Sequence, residues 1–405
     1  MALSSRYTAS FRTLWIRAVA FTILVLAFLP GMAAAQLPSS LSGEAKVSLL
    51  TIYPGKPIYA AFSHSAIRFR DDSTGVDVVF NYGTFDDRDP LFLLKFIYGR
   101  MDYELSANWM KDVMAEWRQV ERSIVEQELQ LAPNLKAALY ARVRENYLPE
   151  NRSYRYDFLF QNCATILLDL LRETNGLRLD SSHVGQETFR ELLQPYIDHR
   201  AFFDAGIALA LGSTVDRKAT YEERSFLPLE LMELVAHAST DNDESGAKSD
   251  LVVAQDTLFW SGAGFSQANP YSWLAIVSWI LVLAVIATGT FWPATESRSS
   301  RFDRILFGIL GCVGFLLGLL WFATAHHVAA ANWNLAWALP FHVVPAFAWS
   351  KLSAITRRRY FATTCAILVV LVLLQPLISQ SLHPVYVPVV VLAAWRSFLL
   401  AKTKS

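Results

Sequence analysis

Two neighbouring stretches of the chain predict a β-hairpin. They read Ser63-His64-Ser65-Ala66-Ile67-Arg68-Phe69-Arg70 and Val76-Asp77-Val78-Val79-Phe80-Asn81-Tyr82-Gly83, and the turn-rich run Asp71-Asp72-Ser73-Thr74-Gly75 separates them. If Arg70 faces Gly75, His64 lies opposite Asn81; if Arg70 faces Val76, His64 lies opposite Tyr82. Either neighbour would be within reach of the imidazole, and we favour Asn81 as the residue that orients it. Taken alone, the hairpin makes His64 an ordinary polar residue on a sheet face.

A lone cysteine of the N-terminal half lies where the sequence predicts the start of a helix. It occurs in Phe160-Gln161-Asn162-Cys163-Ala164-Thr165, and an apolar face with helical spacing follows as far as Asn175-Gly176. This pattern predicts Asn162 as the N-cap and Cys163 in the first turn. Amide groups at a helix N-terminus stabilise a thiolate, lower the pKa of the thiol and can hold an oxyanion. The alternative for Cys163 is a small buried side chain, the usual fate of a free cysteine.

A cysteine nucleophile placed in this way needs a histidine as its base. The N-terminal half offers His64, His183, His199 and His237, and His64 has the most strand-like setting. The sequence therefore predicts a site with Cys163 as nucleophile, His64 as base and Asn81 as orienting residue. Asn162 would shape this site from the helix cap.

The composition indicates a protein that lies partly in a membrane. Hydrophobic residues make up 53% of the chain and charged residues 18%, and the mean hydropathy is +0.27. Three arginines precede an apolar run from Ala18 to Leu29 and the small residues Ala33-Ala34-Ala35, which is typical of a secretory signal peptide over residues 1–35. The alternative is an uncleaved anchor. In both cases the residues that follow are exported.

The charges are unevenly distributed along the chain. Residues 36–270 carry a net charge of −11, whereas residues 271–405 hold ten Lys or Arg against two acids. Binding to a phosphate backbone depends on Lys and Arg. The acidic middle therefore excludes nucleic acid as a partner.

Five apolar stretches predict an all-α transmembrane domain over residues 271–405. They cover about residues 272–292, 305–325, 335–350, 361–379 and 385–401, near the length of about 20 residues that a membrane span needs. Lys and Arg occur in alternate loops and after the fifth stretch, and positive residues collect on the cytoplasmic side. This alternation predicts a multi-pass protein with its C-terminus in the cytoplasm and residues 36–270 outside.

A polar run separates the two halves. Ser239-Thr240-Asp241-Asn242-Asp243-Glu244-Ser245-Gly246-Ala247-Lys248-Ser249-Asp250 has too little apolar surface to bury a core. It predicts a linker over residues 238–270. The exported α+β domain would then cover residues 36–237.

Several segments of the exported half resemble the bacterial lipoprotein N-acyltransferase N-terminal periplasmic domain family, in the same order. The resemblance covers about residues 47–200. It is carried by Ala61-Phe62-Ser63-His64-Ser65-Ala66-Ile67-Arg68, Phe80-Asn81-Tyr82-Gly83-Thr84-Phe85-Asp86, Glu126-Gln127-Glu128-Leu129-Gln130-Leu131, Asn146-Tyr147-Leu148-Pro149-Glu150-Asn151-Arg152 and Tyr154-Arg155-Tyr156-Asp157-Phe158-Leu159-Phe160-Gln161-Asn162-Cys163-Ala164-Thr165.

The membrane half contains a further similar segment, Thr324-Ala325-His326-His327-Val328-Ala329-Ala330-Ala331-Asn332-Trp333-Asn334-Leu335. Here His326 matches the family pattern, whereas Ala325 replaces an acidic residue. Both histidines of this segment would lie on the exported side, either near the exported domain or as interfacial residues beside Trp333.

The resemblance implies a circularly permuted papain-like (NlpC/P60-like) α+β domain in which the histidine precedes the cysteine, as His64 precedes Cys163. It also implies transfer of a fatty acyl chain from the glycerol of a diacylglyceryl lipoprotein to that lipoprotein's N-terminal amine, giving a lyso-form lipoprotein. The location implied is the inner membrane of a bacterium, with the catalytic domain in the periplasm. Membrane lipids and diacylglyceryl lipoproteins would be its partners.

From the residues alone, the mechanism is nucleophilic catalysis through a thioester on Cys163. Two other functions remain open: an envelope cysteine hydrolase that cuts peptide, amide or lipid ester bonds, and a catalytically silent membrane scaffold. For substrate binding, the candidates are Arg68, Tyr82, Arg152 and His326, and the two arginines are equally suited to surface ion pairs. The sequence has no HExxH motif, no pair of CxxC motifs and no nucleotide-binding glycine pattern, so no metal and no cofactor are expected.

Overall fold

The structure is a computed structural model of the 405-residue chain. It describes residues 37–85, 90–91, 95, 98–100, 102–175, 177–179, 186–241, 248–262, 273–291 and 296–402. The chain divides into two compact units, residues 1–41 and 42–405, and all elements below belong to the second unit. The expected signal peptide, residues 1–35, lies outside the described residues.

An antiparallel sheet is the centre of the exported half. The strands of the described residues are β1 (Lys46–Ile52), β2 (His64–Asp71), β3 (Val76–Thr84), β4 (Asp102–Trp109), β5 (Ile124–Leu129), β6 (Ser153–Arg155), β7 (Ser239–Asp241), β8 (Lys248–Asp250) and β9 (Val252–Phe259). Seven of them pair in the order β6-β4-β3-β2-β1-β5-β9, and β7 pairs with β8 in a separate ribbon. The candidate histidine and its hairpin therefore lie at the middle of the sheet.

The hairpin β2–β3 is present, but neither predicted register is correct. Arg70 pairs with Asp77, and Asp71 with Val76, so that four residues form the turn. The Asp71 carboxylate stabilises this turn, because its Oδ1 accepts hydrogen bonds from the amide and hydroxyl of Ser73 at 3.1 and 2.6 Å. Continuing this register places His64 level with Gly83, not with Asn81 or Tyr82.

Helices cover both faces of the sheet. In the exported half they are α1 (Met110–Gln119), α2 (Pro133–Tyr147), α3 (Cys163–Asn175), α4 (Phe189–Ile197), α5 (Ala201–Ala210) and α6 (Pro228–Ala236). Helix α1 packs on one face, over a buried cluster that includes Ala66, Val79 and Trp117. Helices α2, α3 and α6 pack on the strands and on one another, with Tyr140 of α2 against Phe69 on the opposite face. Each large apolar side chain buried in this way contributes about 1.5–3 kcal/mol. The exported half is thus a mixed α+β domain, as predicted.

The predicted linker over residues 238–270 is wrong for residues 248–259. Strand β9 pairs along the whole of β5, from Ile124 opposite Phe259 to Leu129 opposite Val252. The sheet therefore continues beyond residue 237, where the sequence placed the end of the domain. The polar run that suggested a linker, residues 239–250, holds the ribbon strands β7 and β8 and directly precedes β9, an edge strand whose residues from Val253 to Thr257 are exposed.

The C-terminal half is helical. It contains α7 (Trp273–Phe291), α8 (Glu296–Phe322), α9 (Val343–Phe347), α10 (Ala354–Leu374) and α11 (Val387–Lys402). Three helical stretches of the described residues are long and apolar enough to cross a membrane: Trp273–Thr290, Ser300–Phe322 and Ala354–Leu377. They confirm the first, second and fourth predicted spans. The fifth predicted span is the 16-residue helix α11.

The third predicted span, residues 335–350, is not a continuous helix. It consists of short 3₁₀ turns and α9, and prolines at 340 and 345 remove backbone donors within it. This broken segment runs antiparallel to α8, with Ala338 against Gly314 and Val343 against Gly311. A Cβ on either glycine would collide with the segment's backbone. The glycines thus allow the close approach that the broken segment requires.

The basic residues of the membrane half collect at one end. Arg304, near the start of α8, donates to Ala346 O at the end of the broken segment, at 2.9 Å. In α11, Arg396 Nε donates to Asp303 Oδ1 of α8 at 2.6 Å, and the Asp303 side chain is fully buried. The beginning of α8 therefore lies beside the end of α11.

The opposite ends of these helices meet the exported domain. Gly212 N donates to Val328 O at 2.9 Å, and Asn332 Nδ2 donates to Leu209 O at 2.8 Å. The loop before α11 makes a third connection, since Tyr386 OH donates to Ala205 O at 2.7 Å. These contacts fix α5 against the exported end of the membrane half.

Candidate active site

Helix α3 begins at Cys163 because Asn162 caps it, as predicted. Asn162 Oδ1 accepts from the amides of Ala164 and Thr165 at 2.8 and 3.1 Å. The same side chain donates through Nδ2 to Phe158 O and Phe226 O, at 2.7 and 2.8 Å. Both polar groups of the Asn162 side chain, Oδ1 and Nδ2, thus hold the start of α3 in place. The Ala164 amide, which the sequence suggested for an oxyanion, is therefore engaged by the cap.

The Cys163 thiol is buried, with 7% of the residue exposed. The nearby backbone amides of Ser65, Cys163 and Ala164 and the positive charge of Arg122 all act to lower the thiol pKa. Burial is the larger effect and raises the pKa of Cys163 to about 11. The expected lowering of the thiol pKa is therefore wrong for the protein without substrate, because desolvation outweighs the helix amides.

His64 is half-buried on β2 and is oriented by Asn81. Its Nε2 lies 3.2 Å from Asn81 Oδ1. Because an amide oxygen only accepts, Nε2 carries the proton and Nδ1 is the atom left to accept one. The Trp117 ring of α1 contacts the imidazole edge-on, at 6.4 Å between ring centroids. Burial, with Arg122 second, lowers the pKa of His64 to about 4, so the imidazole is neutral at physiological pH.

The contact between His64 and Asn81 is diagonal. In the observed register Asn81 stands opposite Ala66, two residues from His64 on the same face of the sheet. Diagonal neighbours of this kind remain within reach of long side chains. Tyr82 points to the other face, where its hydroxyl accepts from Asn146 Nδ2 at 3.0 Å. Of the two orienting residues suggested by the sequence, the geometry therefore favours Asn81.

Cys163 lies at the end of the β2–β3 hairpin at which His64 stands. One of the amides that act on the thiol belongs to Ser65, the residue after His64. On the neighbouring strand, Gly83 has φ +95°, and a Cβ built there would lie 3.9 Å from the Cys163 Cβ. Glycine is thus suited to this position because it allows the positive φ. Ser63, directly before His64, also has a positive φ of 71°, a strained conformation of the kind found at functional sites.

Arg122 is a site residue that sequence reasoning missed. Its Nε donates to Tyr53 O at 2.8 Å and its Nη2 to Ile52 O at 3.4 Å, and the residue is 9% exposed. Burial lowers the pKa of Arg122 to about 10, so that it remains positive. No spacing or motif distinguishes it from the other arginines, because only the pairing of β1 and β5 brings residue 122 to the end of the sheet.

Tyrosines form another wall of the site. Tyr154 and Tyr156 lie next to Gly83, and Tyr156 stacks on Tyr103 at 4.3 Å between ring centroids. Burial raises the pKa of both Tyr154 and Tyr156, and the charge of a Cys163 thiolate would raise it further. The thiol is thus bounded on this side by neutral aromatic groups. Tyr154 and Tyr156 both belong to the family-like segment that ends at Cys163, which is the signal that could have found them.

The structure does not bring the four predicted substrate-binding residues together around the thiol. Arg68 forms ion pairs with Asp77 and Glu126 at 2.7 and 3.0 Å, four residues along β2 from His64. Arg152 lies 3.3 Å from Glu104, which is the surface ion pair considered as its alternative. His326 packs against Gly99 where the exported domain meets the membrane half. Its ring lies 3.2 Å from the position that a Cβ on residue 99 would occupy. Tyr82 is buried, as described above.

Within the described residues, no cluster of three or more His, Cys, Asp or Glu side chains is arranged to hold a metal ion. The chemistry available at the site is that of a buried thiol, a neutral imidazole held by an amide, and a buried guanidinium. This combination can form and break a thioester without a cofactor.

Fold and site together define a membrane protein with an exported α+β domain that carries a Cys–His pair. Residues 39–200 match the model of the Lnb N-terminal periplasmic domain, and residues 268–405 match the model of the Lnb transmembrane domain. The chain therefore belongs to the Lnb family, which is the family that its sequence motifs resemble. It is a membrane protein of the lipoprotein-processing kind with an N-terminal periplasmic part. Comparison with curated proteins and with solved structures found no significant match.

Proposed function

We propose that this protein is a thiol-dependent acyltransferase that moves a fatty acyl chain from a lipid or lipoprotein ester, through a thioester on Cys163, to an amine. For the family's diacylglyceryl lipoproteins the product is a lyso-form lipoprotein. The observation that carries the proposal is that the capped Cys163 and the Asn81-bound His64 occupy the same end of the β2–β3 hairpin, where the amide of Ser65, next to His64, acts on the thiol.

In the first half-reaction His64 Nδ1 takes the proton from Cys163 while the sulfur attacks the ester carbonyl. The new C–S bond forms as the carbonyl π electrons move to oxygen. Collapse of this intermediate breaks the bond to the glycerol oxygen, which leaves with the proton held on Nδ1. In the second half-reaction a neutral amine attacks the thioester, His64 takes its proton, and the sulfur leaves and is reprotonated.

The protonation states of Cys163 and His64 support a mechanism in which the thiol loses its proton only when substrate is bound. In the protein without substrate the thiol pKa is about 11 and that of His64 about 4, so the proton stays on sulfur. A resting thiolate would also react with other electrophiles, and a neutral thiol does not. We propose that Arg122 and the Cys163 amide stabilise the negative charge as it moves from sulfur to the ester oxygen.

Burial of the thiol supports transfer over hydrolysis. Cys163 is 7% exposed, and aromatic side chains surround it. A thioester in such a site is shielded from bulk water, so an amine that enters with the substrate competes better with hydrolysis. Anchoring of α5 to the membrane half through Asn332 and Tyr386 holds the domain near lipid esters.

We further propose the permuted papain-like arrangement for the exported domain and five membrane crossings for the C-terminal half. The first is supported by the chain order, with His64 on a central strand before Cys163 on its helix. The second is supported by the broken segment, which retraces α8 from Ala338 beside Gly314 to Ala346 near Arg304. Five crossings place the basic loops and the C-terminus in the cytoplasm and the sheet domain on the periplasmic side of the inner membrane.

The acceptor distinguishes a transferase from a hydrolase. Purified protein would be incubated with a diacylglyceryl lipopeptide that has a free N-terminal amine, the products separated by reversed-phase chromatography, and the acyl position assigned from fragment masses. We expect a lipopeptide of unchanged total mass with the acyl chain on nitrogen, and no product with Cys163→Ala or His64→Ala. Cys312→Ala, which removes another free thiol, should be fully active. Release of free fatty acid without N-acylation would contradict transfer and establish a hydrolase.

A further inference from the structure

A cavity of about 470 Å³ lies between the exported domain and the membrane half, apart from the cysteine site. Its size is typical of a small-molecule site. Side chains from α4, α5, α7 and the loop before α11 surround it. They include Arg190, Asp198, Asp204, Ala275, Trp279 and His383.

One wall of the cavity continues into the lipid-facing surface. Ala275, Ile276 and Trp279 belong to the first turns of α7, a helix apolar and long enough to cross a membrane. Farther along α7, Ile280 and Leu283 are 61% and 55% exposed. An amphiphile with its polar end in the cavity could therefore lay its chains along α7.

The polar end of the cavity contains one acid with a carboxylate oxygen that lacks a donor. Asp204 is satisfied by His383 Nε2 at 3.0 Å and by Gln194 Nε2 at 3.2 Å. Arg190 pairs with Asp216, outside the cavity lining, at 2.7 Å. By contrast, Asp198 Oδ1 is buried without a hydrogen-bond partner among the described residues, and the ring Nδ1 of His199 lies 3.9 Å away.

We propose that this cavity binds a membrane phospholipid whose headgroup carries a primary ammonium. The ammonium supplies the N–H donors that Asp198 Oδ1 lacks. Asp204, which lines the same cavity, adds a second carboxylate. Arg190 lines the cavity as well, but Asp216 holds its guanidinium at both carboxylate oxygens, so the preference for the headgroup rests on the ammonium. The acyl chains leave along α7. The bound lipid would join α4 and α5 to the membrane half, independently of whether Cys163 is acylated.

The charge of the site agrees with a cationic group. Burial raises the pKa of Asp198 in the protein without ligand. A bound ammonium would offset that cost, because an opposite charge within about 4–6 Å favours the ionised carboxylate.

Binding would be tested with the purified full-length protein in detergent micelles by native mass spectrometry. Four lipids with the same dioleoyl chains would be compared at equal concentration: phosphatidylethanolamine, phosphatidylcholine, phosphatidylglycerol and a diacylglyceryl lipopeptide with a free amine. We expect phosphatidylethanolamine to bind about tenfold more tightly than phosphatidylcholine, whose quaternary nitrogen has no N–H donor, and than phosphatidylglycerol, which has no cation.

Two variants connect the preference to the cavity. Asp198→Asn should reduce it to about twofold or less, whereas Asp112→Asn, which removes an exposed acid on α1, should leave it unchanged. Ala275→Phe, which fills the cavity without changing charge, should weaken binding of phosphatidylethanolamine at least tenfold. Equal binding of phosphatidylethanolamine and phosphatidylcholine, binding of the lipopeptide alone, or an unchanged preference in both cavity variants would overturn the proposal.

Discussion

At Cys163 and His64, burial and polar contacts act on protonation in opposite directions, and burial dominates. Three backbone amides and Arg122 favour the thiolate, yet the thiol pKa rises to about 11. For His64, the hydrogen bond to Asn81 favours the imidazolium, yet its pKa falls to about 4. Both groups are therefore neutral before substrate binds. Proton transfer from Cys163 to His64 separates charge, and it becomes favourable only when an ester carbonyl accepts the negative charge.

The lowered pKa of His64 predicts a specific dependence of stability on pH. The unfolded chain binds a proton at this residue below about pH 6.5 and the folded chain only below about 4. Folding stability should therefore fall as the pH drops from 6.5 to 4, by about 3 kcal/mol from this residue. The measurement is denaturant unfolding in detergent over this range for the wild type and His64→Gln. Parallel curves for the two proteins would contradict the pKa assigned to His64.

The charge of Arg122 should affect the rate of thioester formation. Arg122→Gln removes the positive charge that acts on both Cys163 and His64, and we expect acylation to slow by about 10- to 100-fold. Arg122→Lys keeps the charge and should retain more activity. Arg200→Gln is a matched control, since Arg200 also donates to a backbone carbonyl, Gly55 O, at 3.0 Å. If both glutamine variants reacted at the wild-type rate, Arg122 would have no electrostatic role.

At the scale of elements, the start of α3 depends on one side chain. Asn162→Ala would remove the acceptor for two helix amides and both donations to Phe158 O and Phe226 O. We expect a loss of about 2–4 kcal/mol in the free energy of unfolding, together with slower acylation of Cys163. Asn162→Asp keeps the acceptor oxygen but sets a buried carboxylate oxygen against Phe158 O and Phe226 O, and should lose at least as much.

The control for this prediction is the N-cap of α4. Thr188 caps that helix by accepting from Glu191 N, and Thr188→Ala should cost about 1 kcal/mol without slowing acylation. Equal slowing of acylation by Asn162→Ala and Thr188→Ala would indicate a general loss of stability and not a specific effect at the site.

Elements that depend on residues close together in the sequence were predicted. Elements that depend on pairing between distant strands were not. The N-cap of α3, the hairpin and the contact of Asn81 with His64 follow from nearby residues. The exact register did not, because the Asp71 side chain favours a longer turn. Strand β9 was missed because an exposed edge strand and a polar linker have similar compositions. Arg122 reaches the site only through pairing with a distant strand.

At the scale of the whole molecule, the membrane half carries its basic residues at the end away from the exported domain. The ion pair of Asp303 with Arg396 fixes that end, and it is buried. The third predicted span, residues 335–350, was expected to be a helix because its residues are apolar. Its prolines and the glycines of α8 instead favour a broken segment packed closely against that helix.

Five crossings predict which loops an impermeant reagent can reach. In a chain whose three cysteines are replaced, Ser381→Cys lies in the loop before α11 and should be labelled in intact cells or spheroplasts with the outer face exposed. Ser353→Cys, the N-cap of α10, should be labelled only after the membrane is permeabilised. Labelling of both from the outside would contradict the proposed topology, as would labelling of Ser353→Cys alone.

The central claim is that Cys163 carries an acyl group during turnover. The most direct test is intact-protein mass spectrometry of the full-length protein after brief exposure to a diacylglyceryl lipopeptide, before and after hydroxylamine. We predict one fatty-acyl adduct on Cys163 that hydroxylamine removes, present in Cys365→Ala and absent from Cys163→Ala and His64→Ala. Turnover of the lipopeptide by Cys163→Ala at the wild-type rate, with no adduct on the wild-type protein, would contradict it.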